Sequence, residues 1–392
     1  MKPRKIVDNV YWLGAIDWDR RLFDALIPLP DGTSYNAYLV QGNDKTALLD
    51  TVDPSMAAVL LDQLAEVPFV DYLVMHHAEQ DHAGCIPLVL KKYPSAQVLT
   101  SPKGREMLVD LLGVSGDRLR VVDDGETLSL GGKTLEFIHA PWVHWPDTMS
   151  TYLQEDQILF SCDFFGSHLA ISHLYTTNQS RLYEAARRYY AELMMPFRPM
   201  VQKNLEKIKG RELKLIAPSH GPIHADPAFI LQAYTEWSSA PPRNSVVIPY
   251  VSMHGSTRKM VDHLVSCLAS RGVGVQQFDL TVTDLGKLAV ALVDAATLVI
   301  GTPTVQGGPH PLVFYTAYLV NSLRPKLAYA SVIGSYGWNS KAVEQITGLL
   351  PNLKLEMLPA VLCKGDPQAA DFQALEQLAE KIASRHRHSE LV

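Results

Sequence analysis

The segment His76-His77-Ala78-Glu79-Gln80-Asp81-His82-Ala83-Gly84 sets four metal-binding side chains, His77, Glu79, Asp81 and His82, within six residues. It follows the apolar run Tyr72 to Met75, which reads as a strand, and a helical pattern is expected just after it. Donors at the end of a strand are aimed by a rigid element into a cleft, where open coordination positions survive. Without a cation, so many ionisable groups buried together would need costly mutual pairing. Three further candidates, His144, Asp163 and His220, each follow another strand-like apolar run. An isolated histidine is more often a satisfied core or surface residue, and His168, His224 and His310 are expected to be that. Cys162, next to Asp163 on a strand, is expected to point to the opposite face and belong to the core.

A second set of candidates lies later in the chain. Ser252-Met253-His254-Gly255-Ser256-Thr257 joins an apolar strand to a helix, and hydroxyls with free backbone N–H groups at a helix start suit a phosphate. There is no G-x-G-x-x-G, which favours a mononucleotide over a dinucleotide. Two other loops, Gly301-Thr302-Pro303-Thr304-Val305-Gln306-Gly307-Gly308 and Gly334-Ser335-Tyr336-Gly337-Trp338-Asn339, fall at the ends of later strands. Tyr336 and Trp338 offer flat apolar faces to a ring system.

The elements that carry these residues divide at Ser238-Ser239-Ala240-Pro241-Pro242-Arg243-Asn244, where two prolines halt both helix and strand. Beyond it, strands at Ser245–Val251, Val273–Leu280, Ala296–Thr302, Lys326–Gly334 and Lys354–Cys363 alternate with helices at Arg258–Arg271, Asp284–Asp294, Pro311–Leu323, Lys341–Leu350 and Pro367–Arg385. That alternation predicts a doubly wound parallel sheet. Before the break, helical patterns at Ser55–Ala65, Ser101–Leu112 and Tyr183–Ile208 mix with a hairpin, Thr127–Leu130 and Lys133–Phe137 about Gly131-Gly132, giving an α+β layer structure. Domains are expected at 1–240 and 245–392.

Composition narrows the functional classes. The chain has 392 residues, 47 % hydrophobic and 19 % charged, enough for two cores. Thirty-five Lys and Arg against forty-one Asp and Glu give a net charge of −6, which disfavours nucleic acid or an anionic membrane as the main partner. Four cysteines without a C-x-x-C pair point to a reducing compartment. No targeting or membrane-spanning stretch is evident, so a cytoplasmic protein is expected.

The H-x-E-x-D-H series from His77 to His82, the segment Gly32-Thr33-Ser34-Tyr35-Asn36-Ala37-Tyr38-Leu39, and His144-Trp145-Pro146-Asp147-Thr148-Met149 resemble the flavodiiron proteins. These are the diiron form of the metallo-β-lactamase-like fold, and the resemblance covers nearly the whole chain. It implies an α+β metallo-β-lactamase-like αββα sandwich followed by an α/β flavodoxin-like doubly wound parallel sheet. It implies two iron ions, one held by His77, Glu79 and His144 and the other by Asp81, His82 and His220, bridged by Asp163. Glu79 stands where the hydrolytic zinc relatives have histidine, and imidazole with carboxylate suits iron. It also implies FMN on the three loops Ser252–Thr257, Thr302–Gln306 and Ser335–Trp338. The function implied is transfer of electrons from an external donor, such as rubredoxin or a reduced soluble cofactor, through FMN to the irons, which reduce O2 to water or NO to N2O. A head-to-tail homodimer, or a dimer of dimers, belongs to the same expectation. The alternative is a dinuclear zinc hydrolase fused to a flavodoxin domain. Two positions depart from the family: Asp24 stands where a histidine is frequent, and His224 where Arg or Trp is common.

Overall fold

A computed structural model describes residues 2–391. The chain divides into two compact units, 1–190 with 197–238, and 191–196 with 239–392.

The first unit holds two large sheets and two short two-stranded ones, Ala15–Asp17 with Thr33–Tyr35 and Leu22–Phe23 with Ile27–Pro28. One large sheet runs Arg4–Val7, Val10–Trp12, Tyr38–Gln41, Thr46–Leu49, Tyr72–Val74, Gln97–Thr100, Leu119–Val121 in spatial order. Its first four strands pair antiparallel and its last four parallel. The other runs Thr127–Ser129, Thr134–His139, Met149–Leu153, Ile158–Cys162, Leu215–Pro218. The expected hairpin is its edge, with Leu128 paired to Leu135 and positive φ at both Gly131 and Gly132. Val40, Leu49, Val74 and Leu99 of the first sheet meet Leu135, Phe137, Met149, Leu153 and Phe160 of the second in one core. Every residue of Met149–Leu153 and Ile158–Cys162 is buried, so these strands are covered on both faces. That is the central double layer of an αββα sandwich.

The second unit is a parallel sheet ordered Gly274–Asp279, Arg243–Tyr250, Ala295–Val305, Tyr329–Tyr336, then Glu356–Met357 and Val361–Lys364. The first strand in sequence is second in space, so the sheet has its switch point beside the C-terminal end of Arg243–Tyr250, the flavodoxin-like arrangement.

Two expected elements are interrupted. The region Tyr183–Ile208 is not one helix: a helix Gln179–Tyr189 passes through a π-helical turn, Tyr190–Met194, and a 3-10 turn, Met195–Phe197, into a helix Arg198–Ile208. Pro196 and Pro199 supply no backbone N–H, so the i→i−4 ladder cannot run through them. Lys354–Cys363 is likewise two short strands parted at Pro359, which cannot donate to the sheet.

Candidate functional site

In the first unit the motif departs from expectation in one local respect. The expected helix follows the motif as Ile86–Lys92, but a short extra helical turn, Gln80–Ala83, lies inside it, with Glu79 just before its first residue. His77 and Glu79 therefore leave from non-helical backbone, extended at Glu79, and Asp81 and His82 from a helical turn, which sends the four side chains two ways. His77, Glu79, His144 and Asp163 bring ligand-type atoms within 4.8 Å of one another, and so do Asp81, His82 and His220.

Asp163 faces both groups. Its Oδ2 lies 3.8 Å from His77 Nε2 and 3.5 Å from His144 Nε2. Its Oδ1 lies 3.2 Å from His82 Nε2 and 3.3 Å from His220 Nε2. Glu79 Oε2 closes the first group at 3.0 Å from His77 Nε2 and 3.4 Å from His144 Nε2. Asp81 closes the second, Oδ2 standing 3.1 Å from His220 Nε2 and Oδ1 3.4 Å from His82 Nε2.

Other residues aim these donors. The Nδ1–H of His220 donates to the Ser34 carbonyl at 2.8 Å, which leaves Nε2 for the site. Asp147 does the same for His77, 3.1 Å from Nδ1, and accepts the Ala78 N–H at 2.7 Å. Gly221 has φ +80°, and a Cβ there would come within 2.2 Å of Ser167 Oγ, so only glycine follows His220 at this turn. One shell out, His76 is held between Asp50 Oδ2 at 2.6 Å and Thr151 Oγ1 at 2.8 Å. Tyr189 donates its hydroxyl hydrogen to Asp163 Oδ1 at 2.7 Å. Asp50, Asp147 and Tyr189 escaped sequence reasoning; only Asp147, within a motif segment, left a local signal.

The electrostatics match a site shaped for cations. Burial alone would lower each histidine, but facing carboxylates reverse it. Asp163 and Glu79 raise His144 to about 9, and Asp163 and Asp81 raise His220 to about 10. Asp147 and Glu79 hold His77 well above its usual value, and the charges of Asp81 and Asp163 raise His82. Burial would raise Asp163 and Glu79, yet the surrounding imidazoles keep both below the usual carboxylate range. Even so the pairing is incomplete: both Asp81 carboxylate oxygens, Asp163 Oδ2 and His82 Nε2 are buried without a hydrogen-bond partner. Buried polar atoms are normally satisfied. Orphaned donors converging from two sides on one carboxylate fit two cations, and four imidazoles with three carboxylates fit iron better than a thiolate-seeking metal.

The remaining candidates are placed as follows. Cys162 is buried in the core, as expected; it closes its strand at φ +55° and lies in a buried group with Asp50 and His82. His168 is no distant core residue. Its ring is 5.0 Å from that of His220, its Nδ1 meets Thr33 Oγ1 at 2.9 Å, and burial followed by the His220 charge keeps it well below its usual value. His224 is buried and its Nε2–H donates to the Phe165 carbonyl at 2.9 Å. His310 accepts the Leu312 N–H and caps a helix. Burial followed by the Glu79 charge pushes the Asp24 carboxyl up to about 6.

In the second unit, Ser252, Met253, His254, Ser256, Thr257, Pro303, Thr304, Ser335, Tyr336 and Gly337 line one cavity of about 340 Å³. Gly365 and Asp366, after the last strand, complete it. They obey the same rule of strand C-termini, but their loop carries no distinctive residue pattern. Gly255, at φ +92°, is the turn that admits the helix Ser256–Ala269. Gly334 lets two strands close up, since a Cβ would lie 1.9 Å from the Thr302 carbonyl oxygen. Thr302 is buried and engaged with Pro303 O and His310 N, and Val305 ends its strand outside the cavity wall. Trp338 is 78 % exposed and, with Gln306, Gly307, Asn339 and Lys341, lines a separate cleft of about 490 Å³. The volume and the helix N-terminus at one end fit a mononucleotide. Asp366, an anion in that wall, is neutralised by Lys259 at 2.8 Å.

Comparison with known proteins agrees with both units. Residues 33–221 match the model of the ODP family beta lactamase. A curated nitric oxide reductase of Moorella thermoacetica is 35 % identical, the alignment covering 98 % of this chain and 99 % of that protein. Among solved structures, the rubredoxin oxygen:oxidoreductase from Desulfovibrio gigas superposes with a TM-score of 0.93 at 33 % identity, covering 100 % of both chains. The flavodiiron protein from Giardia intestinalis gives 0.89 at 27 %, covering 98 % of this chain and 97 % of that one. A likeness of this depth, sustained along the whole chain, means that the chain belongs to the flavodiiron protein family.

Proposed function

We propose that the chain is a flavodiiron oxidoreductase. It takes electrons from an external donor and, with FMN and two irons, reduces O2 to water, NO to N2O, or both. The observation that supports this best is Asp163, whose two carboxylate oxygens face two separate donor groups. The irons supply redox equivalents and open positions for a diatomic gas, and FMN supplies an electron relay. His77, Glu79 and His144 would hold one iron and Asp81, His82 and His220 the other, with Asp163 between.

The chain's own residues have definite tasks. Asp147 and the Ser34 carbonyl fix His77 and His220 with Nε2 toward the site. Tyr189 keeps its phenolic proton, because burial and the Asp163 charge raise it well above its usual value, and donates that O–H to Asp163 Oδ1 in a hydrogen bond. Asp24, its carboxyl pushed up to about 6 by burial and the Glu79 charge, is a proton-holding group beside the cluster. Ser252 Oγ, accepting from the Gly255 and Arg258 N–H groups at 3.2 Å, shapes the phosphate end of the flavin cavity, and Tyr336 offers a ring face.

Rubredoxin stands in the name of the Desulfovibrio gigas relative and nitric oxide in that of the Moorella relative. Both are carried over as donor and substrate of this chain. A head-to-tail homodimer that brings one chain's flavin beside another's irons rests on family resemblance. Among the described residues no helix is long and apolar enough to cross a membrane, and a cytoplasmic location is part of the proposal. So are domains at 1–240 and 245–392, which limited proteolysis at Ala240–Pro242 tests.

The deciding experiment measures metal content of the purified protein, then O2 and NO consumption driven by the same reduced rubredoxin. Two irons, one FMN and turnover of at least one gas are expected. Zinc in place of iron, with hydrolysis and no gas uptake, would overturn the proposal.

A further inference from the structure

Within the second unit, helices Ser256–Ala269 and Ala369–His388 share one buried seam, Met260, Leu264 and Leu268 against Leu375, Leu378 and Ala379. Just outside it, His263 and Cys267 lie four residues apart on one helix, with Arg271 four further on just past its end, and Phe372, Glu376 and Glu380 recur every fourth residue on the other. Four-residue spacing puts each set in one stripe along its helix. The stripes meet: the His263 ring lies 4.8 Å from that of Phe372, and Arg271 Nε donates to Glu380 Oε2 at 3.0 Å. Between these two contacts His263, Cys267 and Glu376 bring a nitrogen, a sulfur and a carboxylate oxygen within 4.8 Å of one another.

The contact there is not an ordinary ion pair. His263 Nε2 is buried and makes no hydrogen bond, although Glu376 Oε1 is 3.5 Å away. Two donors bound about 2.0–2.1 Å from one tetrahedral zinc stand roughly 3.4 Å apart, the separation seen between these atoms. A thiolate with an imidazole selects zinc-class cations over magnesium or calcium, and the carboxylate completes a three-ligand set that leaves the fourth position to water.

We propose that His263, Cys267 and Glu376 form a zinc-class metal site that clips the two helices together. The Cys267 thiol loses its proton to solvent as the cation binds, and no electron changes hands. The clip fixes the helix whose first residues, Ser256 and Thr257, border the nucleotide cavity, and it draws on neither Asp163 nor any of the six residues grouped around it.

The test titrates Co2+, and in parallel Zn2+, into the full-length protein with its iron and flavin in place, using difference spectra. One further equivalent is expected, with a cobalt–thiolate charge-transfer band that excess Zn2+ abolishes. Cys267→Ser is expected to lose the band, and Glu376→Gln to keep it while binding Zn2+ at least about tenfold more weakly. His263→Asn gives an independent arm should Cys267→Ser fold poorly: it too weakens binding by at least about tenfold. Iron and flavin contents are expected to stay unchanged in all three. No thiolate band in the unaltered protein, a band that survives Cys267→Ser, or Zn2+ binding indifferent to His263→Asn overturns the site.

Discussion

Tyr189 donates its hydroxyl hydrogen to Asp163 Oδ1 at 2.7 Å, so the one carboxylate that faces both donor groups is tied to a helix outside either sheet. A donor hydrogen bond withdraws charge from a carboxylate that would otherwise be a stronger ligand. Tyr189→Phe is therefore expected to keep two irons and to lower the diiron midpoint potential. Redox titration followed by electron paramagnetic resonance reads this, and an unchanged potential would show the bond to be structural only.

Glu79 is the position that separates iron-type from zinc-type relatives in the opening motif, and its Oε2 serves both His77 and His144. Glu79→His replaces a negative oxygen donor by a neutral nitrogen, which favours zinc and disfavours oxidised iron. Iron content is expected to fall and gas reduction to be lost. Full iron loading with full turnover would remove Glu79 from the ligand set.

Tyr336 and Trp338 are two residues apart yet line different hollows. Tyr336→Ala is expected to weaken FMN binding by about 1–3 kcal/mol, the scale of base stacking on aromatic rings. Trp338→Ala, at an exposed position, is expected to change it by no more than about 0.5 kcal/mol. Flavin fluorescence titration of both variants checks the order, and the reverse order would put the ring against Trp338.

His386 is buried with Nδ1–H donating to Asn244 Oδ1 at 2.9 Å and Nε2 accepting from Thr297 Oγ1 at 2.7 Å, a neutral imidazole with both nitrogens used. Burial lowers it to about 4. The unfolded chain binds its proton near pH 6.5. The stabilisation is therefore full above about pH 6.5 and fades as pH falls toward 4. Urea midpoints for flavin release at pH 7 and pH 5 are expected to drop more in the unaltered protein than in His386→Gln. Equal drops would show that His386 does not carry this acid sensitivity.

The local pattern carried the donors themselves. His77, Glu79, Asp81 and His82 sit so close in sequence that any strand-to-helix turn must cluster them, and the alternation after Pro242 leaves little choice but a doubly wound sheet. What the tertiary structure decided is which donors face which. His144, Asp163 and His220 come from separate strand ends, and only the facing of two sheets turns Asp163's oxygens in opposite directions. Asp147 and Tyr189 reach the site across 70 and 26 residues of chain, a separation no period of 2 or 3.6 can register. Periodicity reports which side of an element is apolar; the partners that fix a polar side chain come from elsewhere in the fold, and chain separation hides them until the chain is packed.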